Sequence, residues 1–256
     1  MIPKKIHYCW FGGAPLPKSA RYCIDSWRKY LPDYEIIEWN ESNFDVNIVP
    51  YTRGAYKEGK YAYVSDYARF YILYNYGGIY FDTDVEVIRS MDNIISNGAF
   101  MGYEKPDISN KGGYHVAPGL GIACEPKNEL WACILKKYNS FIDFSMEHGS
   151  VCKIVSAQLK EMGALIDGKL NKIDSVTIYP DDYFCPKSFY DGTMTMTENT
   201  VTIHHYSMSW FGSYAKRKMR LTWFFSRFMS KRQAEKIATI INDIITNIVR
   251  KVRFWK

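Results

Sequence analysis

The chain opens with an apolar stretch, Ile2–Trp10, that reads as a strand, followed by the turn-forming run Phe11-Gly12-Gly13-Ala14-Pro15-Leu16-Pro17. Between Ser19 and Tyr30, apolar or aromatic residues at Tyr22, Ile24, Trp27 and Tyr30 recur at roughly helical spacing, and Pro32-Asp33 ends the pattern. Tyr34–Trp39 then alternates as a second short strand. A strand, helix, strand unit implies parallel strands, and such units place their ligands at the carboxyl ends of the strands.

Further along, Tyr61–Tyr76 is apolar or aromatic at nearly every helical step, which predicts a well-buried helix closed by Gly77-Gly78. Ile79-Tyr80-Phe81 follows as a short apolar strand and delivers Asp82 and Asp84 at its end. Lys105–Gly121, with its Gly and Pro residues, is expected to be irregular. Leu130–Phe141 and Val151–Met162 read as helices, and Ser175–Tyr179 and Thr200–His205 as late strands. From about Arg217 the composition turns basic and aromatic, through Leu221-Thr222-Trp223-Phe224-Phe225. A long periodic segment follows in which Ile237, Ile241, Ile244, Ile248 and Val252 form a stripe widened by Ile240, Ile245 and Val249. That is an amphipathic helix. No apolar run reaches the roughly 18 to 20 residues that a spanning helix needs. The pattern predicts an α/β catalytic domain over 1–215 and a basic amphipathic helical tail over 216–256.

Charge sharpens this division. The chain of 256 residues carries a formal +6. Residues 216–256 hold twelve Lys/Arg against two acids, a balance of +10, so the body carries −4. The tail, not the body, is therefore expected to meet something anionic. An isoleucine stripe is wasted on nucleic acid, whereas Lys/Arg beside aromatics suits an anionic membrane surface. Packing of the stripe on the body or on a second subunit is the alternative. Residues 1–8 contain Lys4, Lys5 and His7 and lead into no apolar leader, so the expected location is cytoplasmic, peripheral at the inner face of the membrane. Six scattered cysteines lack the short paired spacings of a zinc site or a disulfide framework, and reduced thiols are expected.

Asp82-Thr83-Asp84 carries the candidate chemistry. Carboxylates one residue apart on a strand project to the same side, and where the strand runs into a turn both can reach a divalent cation. A nucleoside diphosphate leaving group needs that charge compensation. By itself the tripeptide also fits a pair of solvated acids. In the preceding helix, Asp66 and Arg69 lie three apart on one face among residues that should be buried, so they form either a structural ion pair or part of a site.

Three ordered stretches, Ile2–Gly13, Ser65-Asp66-x-x-Arg69 and Tyr76-Gly77-Gly78-Ile79-Tyr80-Phe81-Asp82-Thr83-Asp84, with a weaker one at His204–Trp210, resemble glycosyltransferase family 32. That family includes capsular-polysaccharide transferases, yeast mannosyltransferases and relatives of the clostridial glucosylating toxins. The resemblance implies a GT-A-type nucleotide-sugar-binding fold, a Rossmann-like mixed sheet flanked by helices. It also implies a retaining reaction that transfers a hexose, from UDP-hexose or a similar donor, with Mn²⁺ or Mg²⁺ as cofactor. The acceptor it implies is a lipid-linked capsular or surface glycan.

Residue by residue, the resemblance gives Asp66, Arg69, Asp82 and Asp84 the catalytic roles. Trp10, Asn40, Ser65, Thr83 and Trp210 join them around the donor, with Trp10 stacking on the base. Asp84, Asp82 and His205 become the metal ligands; Met208 departs from the polar residue that the toxin relatives carry. Acceptor contacts are expected from Lys105–Gly121 and Asp181–Tyr190, whose loops and aromatics suit carbohydrate. Two rival classes are weighed beside this one. A haloacid-dehalogenase-type phosphatase also places Asp-x-Asp after an apolar strand, but it needs Thr or Ser where this chain has Glu86. A non-catalytic carbohydrate-binding or membrane scaffold with the same fold has no need of an intact acidic pair.

Overall fold

A computed structural model of the chain describes residues 1–107 and 113–254, the side chains of 251–254 excepted. Residues 108–112 of the expected acceptor loop thus lie outside the described residues. The elements in order are β1 (Lys5–Cys9), α1 (Lys18–Tyr30), β2 (Glu35–Trp39), α2 (Pro50–Lys57), α3 (Tyr61–Tyr76), β3 (Gly78–Tyr80), β4 (Val85–Val87), α4 (Asp92–Ser96), β5 (Phe100–Glu104), β6 (His115–Val116), β7 (Ile122–Cys124), α5 (Glu129–Asn139), α6 (Val151–Glu161), β8 (Asn171–Ile173), β9 (Val176–Tyr179), α7 (Asp181–Phe184), β10 (Thr202–His204), α8 (Ser213–Phe225) and α9 (Lys231–Phe254).

The main sheet runs β2-β1-β3-β7-β5-β9-β8, with β6 on β5, and a separate ribbon pairs β4 with β10. β1 is parallel to both β2 and β3, as the opening unit predicts, while β7 runs antiparallel between β3 and β5. The sheet is therefore mixed. Successive residues of a strand face opposite sides, and the core follows that period. Tyr80, Met101, Tyr103, Ile122 and Ile178 enter one cluster with α2, α3, α5 and α6. Ile6, Tyr8, Ile79, Phe100 and Ala123 enter the other, with α1 and α4. The chain thus adopts the expected α/β architecture, a Rossmann-like mixed sheet flanked by helices and followed by a helical C-terminus.

Helix α3 is apolar on nearly all sides because it lies between β1 and the helices α2 and α5, and it buries Val64, Tyr67, Phe70, Ile72 and Leu73. Gly77 ends it in the left-handed region at φ +63°, its N–H on Leu73 O at 2.8 Å. A Cβ there would come within 2.6 Å of Pro126 Cδ, so the tight return into β3 demands glycine.

The tail is a helical hairpin. Ala234, Ala238 and Asn242, four apart, form the buried row of α9. Arg217 of α8 donates to Asn242 Oδ1 and to Thr246 Oγ1, and Tyr214 OH donates to Asp243 at 2.6 Å. The residue 215/216 boundary expected from composition falls inside α8.

Candidate functional site

Trp10 follows β1, Asn40 follows β2 and Asp82 follows β3, so the carboxyl ends of three neighbouring parallel strands each deliver one expected site residue. Trp10 is half-buried and its indole N–H donates to Ala14 O. Asn40 is held locally, donating to Glu38 at 2.9 Å and accepting from Ser42. Ser65 Oγ donates back to Tyr61 O in the first turn of α3, at 3.2 Å.

One turn further along α3, the buried Arg69 is the hub. Its guanidinium donates to Asp66 Oδ1 at 2.8 Å and to Ser65 O at 3.1 Å, and reaches Asp82 Oδ1 at 3.3 Å. It also lies over the Tyr80 ring at 4.9 Å, and Tyr80 OH donates to Asp82 Oδ1 at 3.0 Å. Burial pushes the Asp66 carboxyl up to about 7, with Arg69 opposing and Asp82 adding to the rise. Arg69 remains charged because burial is outweighed by the acids around it. The ion pair expected on α3 is thus not isolated. It is joined to the first carboxylate of the acidic pair.

Asp82 and Asp84 flank Thr83 in the turn that carries the chain out of β3 into β4, with Val85 N–H on Asp82 O at 3.0 Å. The β4 ribbon brings β10 alongside, pairing Val85 with His204. His204 Nε2 lies 3.1 Å from Asp84 Oδ1, and Ser207 N–H donates to Asp84 Oδ2 at 2.6 Å. Burial opposes ionisation of Asp84, but His204 and these hydrogen bonds outweigh it and hold the carboxyl well below the usual range. The reciprocal effect on His204 is a raised pKa, Asp84 overcoming the cost of burial.

Donor atoms of Asp82, Asp84 and His204 all lie within 4.8 Å of one another. The other ring nitrogen of His204, Nδ1, is buried and has no hydrogen-bond partner among the described residues. Two carboxylates and one imidazole, whose second ring nitrogen is buried and unsatisfied, form a donor set that fits Mn²⁺ or Mg²⁺, the imidazole favouring Mn²⁺.

His205, the expected third ligand, stands elsewhere. Adjacent residues of an extended segment face opposite ways, so only one of the two histidines can turn to the acidic pair. His205 Nε2 instead meets Glu86 Oε2 at 2.7 Å, and Tyr22 OH donates to the other oxygen of Glu86 at 2.7 Å. The structure therefore brings the imidazole of His204, not that of His205, beside the Asp84 carboxylate, while His205 meets Asp84 only through its backbone N–H on Asp84 O at 2.9 Å. Trp210 is half exposed on the segment after Ser207, its ring edge-on to Phe211 at 4.0 Å.

Three contributors were not singled out from sequence. Gly119, in the 3-10 turn Pro118–Leu120, accepts from Asp82 N–H at 3.2 Å, and a Cβ on it would lie 2.1 Å from Asp82 Oδ2. Glu104, at the end of β5, is pushed up to about 7 by burial, with His204 opposing. Lys187 Nζ donates to His205 O at 3.0 Å and lies 4.1 Å from the Trp223 ring. Gly119 and Lys187 sit inside the two stretches expected to meet the acceptor, but only packing shows that they support the acidic corner.

The strand ends of an α/β sheet thus converge on an acidic pair backed by a buried Asp–Arg pair. Residues 17–101, about a third of the chain, match the family described as the glycosyltransferase sugar-binding region containing DXD motif, which supports the resemblance to glycosyltransferase family 32. Two inositol phosphoceramide mannosyltransferases of Schizosaccharomyces pombe are similar to it. Number 3 is 33% identical over 117 residues, covering 43% of this chain and 32% of the relative. Number 1 is 28% identical over 111 residues, covering 39% and 33%. The chain thus spans about a third of the length of the curated relatives it matches. Among solved structures, the PaToxG glycosyltransferase superposes with a TM-score of 0.45 at 17% identity, covering 62% of this chain and 69% of that one.

Proposed function

We infer that this chain is a retaining, metal-dependent glycosyltransferase that moves a hexose from a nucleotide-diphosphate sugar, UDP-hexose, to a lipid-linked glycan at the cytoplasmic face of the membrane. The observation that carries the reading is Asp82, shared between the buried Asp66–Arg69 pair and the Asp84–His204 cluster. Sugar recognition and diphosphate charge compensation therefore meet at one side chain.

In this reading Trp10 offers its indole face to the base, and Asn40 lies beside the nucleotide. Asp66 accepts from sugar hydroxyls, while Arg69, already balanced by two carboxylates, fixes the sugar side of the donor. Asp82, Asp84 and His204 would hold a divalent ion, which would supply positive charge to offset that developing on the diphosphate. In a retaining transfer the acceptor hydroxyl arrives on the face from which the diphosphate leaves, so its proton can pass to the diphosphate and no protein nucleophile is required. Positioning and electrostatic stabilisation supply most of the rate. The named activity of the yeast relatives, mannosyl transfer to inositol phosphoceramide, supports a hexose donor and an acceptor carried on a lipid.

A panel of UDP- and GDP-sugars assayed for Mn²⁺-dependent donor hydrolysis tests this directly. Hydrolysis of at least one donor is expected, abolished by EDTA and by Asp84→Asn with the circular dichroism spectrum unchanged. Full turnover in Asp84→Asn, or none with any donor, overturns the reading.

A further inference from the structure

The outward surface of the α8–α9 hairpin is unlike the rest of the molecule. Ile240, Ile244 and Ile248, spaced four apart and so aligned in one row, are all more than half exposed, and Val249 is also exposed beside them. At the turn of the hairpin, Phe224 and Phe228 are likewise more than half exposed, their rings 5.7 Å apart. Buried Ala234, Ala238 and Asn242 already supply the packing of α9, so folding does not require the isoleucine row. Along α8, Lys216, Arg217 and Arg220 line a cavity of about 570 Å³ together with Ser213, Leu221 and Phe224. Phe224 thus belongs both to the cavity wall and to the exposed aromatic tip. Among the described residues no helix is long and apolar enough to cross a membrane.

The geometry points to this hairpin face as a docking surface for an anionic phospholipid bilayer, with Ile240, Ile244, Ile248, Phe224 and Phe228 entering the apolar edge of the headgroup layer and the Lys216/Arg217/Arg220 cavity receiving lipid phosphates. Charge decides between occupants. The +10 balance of residues 216–256 would oppose itself across an interface between two copies of the chain, but is neutralised by anionic headgroups. A row of isoleucines has no use in phosphate contacts to nucleic acid, whereas an amphipathic helix with a cationic border lies in the plane of a lipid interface. The surface deepens the membrane-face reading of the acceptor and rests on it only for its purpose, since lipid binding requires no donor or metal.

Co-sedimentation of the full chain with vesicles of phosphatidylcholine, with and without phosphatidylglycerol, tests the assignment. Binding is expected only where phosphatidylglycerol is present, and it should weaken with salt. The doubly substituted Ile240→Glu, Ile244→Glu should lose about ten-fold or more in partitioning, and Lys216→Glu, Arg220→Glu a comparable factor. These are surface exchanges, and unchanged circular dichroism checks that the fold is kept. Asp84→Asn should bind vesicles as the parent does, which separates failure of the surface from failure of the catalytic reading. Equal binding to neutral vesicles, or undiminished binding by the isoleucine variant, overturns the inference. So does a concentration-dependent dimer that Ile240→Glu, Ile244→Glu abolishes while the parent binds no vesicles.

Discussion

Gly119→Ala isolates the position of one carboxylate. Gly119 does not have a positive φ, so alanine is conformationally tolerated, and the effect of the added methyl is steric. That methyl would lie 2.1 Å from Asp82 Oδ2 and 2.9 Å from its Cγ, while Arg69 is no nearer than 3.4 Å. Relief to an ordinary contact requires the Asp82 carboxylate to move by about 1 Å. It cannot do so freely, because Oδ1 is held by Tyr80 OH at 3.0 Å and by Arg69 at 3.3 Å. The backbone offers no easy escape either, since Asp82 N–H is bonded to Gly119 O. The carboxylate therefore rotates out of its place between Arg69 and the Asp84–His204 cluster.

A misplacement of about 1 Å in such a site costs on the order of 10²-fold in rate, or about 2.7 kcal/mol of transition-state stabilisation. Overpacking costs stability as well, about 1 to 3 kcal/mol. Because the clash falls on a side-chain tip, the lower end of that range is expected. The measurement is Mn²⁺-dependent donor hydrolysis alongside urea denaturation, with Gly113→Ala, which has open space around it, as the control. Activity within about two-fold of the parent in a folded Gly119→Ala protein would refute the claim that Asp82 is held in place for function.

His204→Gln should weaken Mn²⁺ binding, followed by the electron paramagnetic resonance signal of free Mn²⁺, by about ten-fold or more, and His205→Gln by much less; the reverse order would restore His205 as the ligand. His7 provides a pH dependence unrelated to the metal corner. Trp39 Nε1–H donates to its Nδ1 at 3.0 Å, so its Nε2–H is the one directed at Gly77 O, also at 3.0 Å, and a second proton would set two donors face to face. Burial is the main cause that lowers its pKa from 6.5 to about 4. The unfolded chain therefore binds more protons between those values, and stability present above pH 6.5 is lost as the pH falls toward 4, by roughly 3 kcal/mol. Urea denaturation of the parent against His7→Gln reads this as a difference in slope over that window, and parallel curves would count against it.

The parts of the fold carried by long periodic segments were legible in the sequence. β1, α1, β2 and α3 lie where alternation and helical spacing put them, and the strand ends that hold Trp10, Asn40 and Asp82 follow from that order. β4 and β7, three residues each, offer too little pattern to register, yet β4 decides the site because it brings β10 to the acidic pair. Local spacing could not choose between His204 and His205, since their facing depends on where the extended segment leaves the ribbon. Tyr206 and Met208, both with positive φ, mark that departure. Asp66 and Arg69 could be read as neighbours on a helix, but their junction with Asp82 depends on how α3 packs over the end of β3. Gly119 was invisible for a different reason. A glycine required by a side chain distant in sequence leaves no local signature.

The hairpin also bears on the acidic corner from behind. Trp223 of α8 donates its indole N–H to Phe189 O at 2.8 Å and covers Lys187, whose ammonium donates to His205 O. A Cβ on Gly192 would lie 2.6 Å from Trp223 Cγ, so the loop is fitted closely around the ring. Lys187 thereby ties the hairpin to the segment that carries both His204 and Ser207 to Asp84. Trp223→Ala should remove a contact worth about 0.5 to 2 kcal/mol and loosen that segment. The expected result is Mn²⁺ affinity several-fold lower, with Trp223→Phe retaining part of the difference because the ring still covers the ammonium. A hairpin that acted only on membranes would leave Mn²⁺ affinity in vesicle-free solution unchanged by Trp223→Ala, and that outcome would separate the two roles.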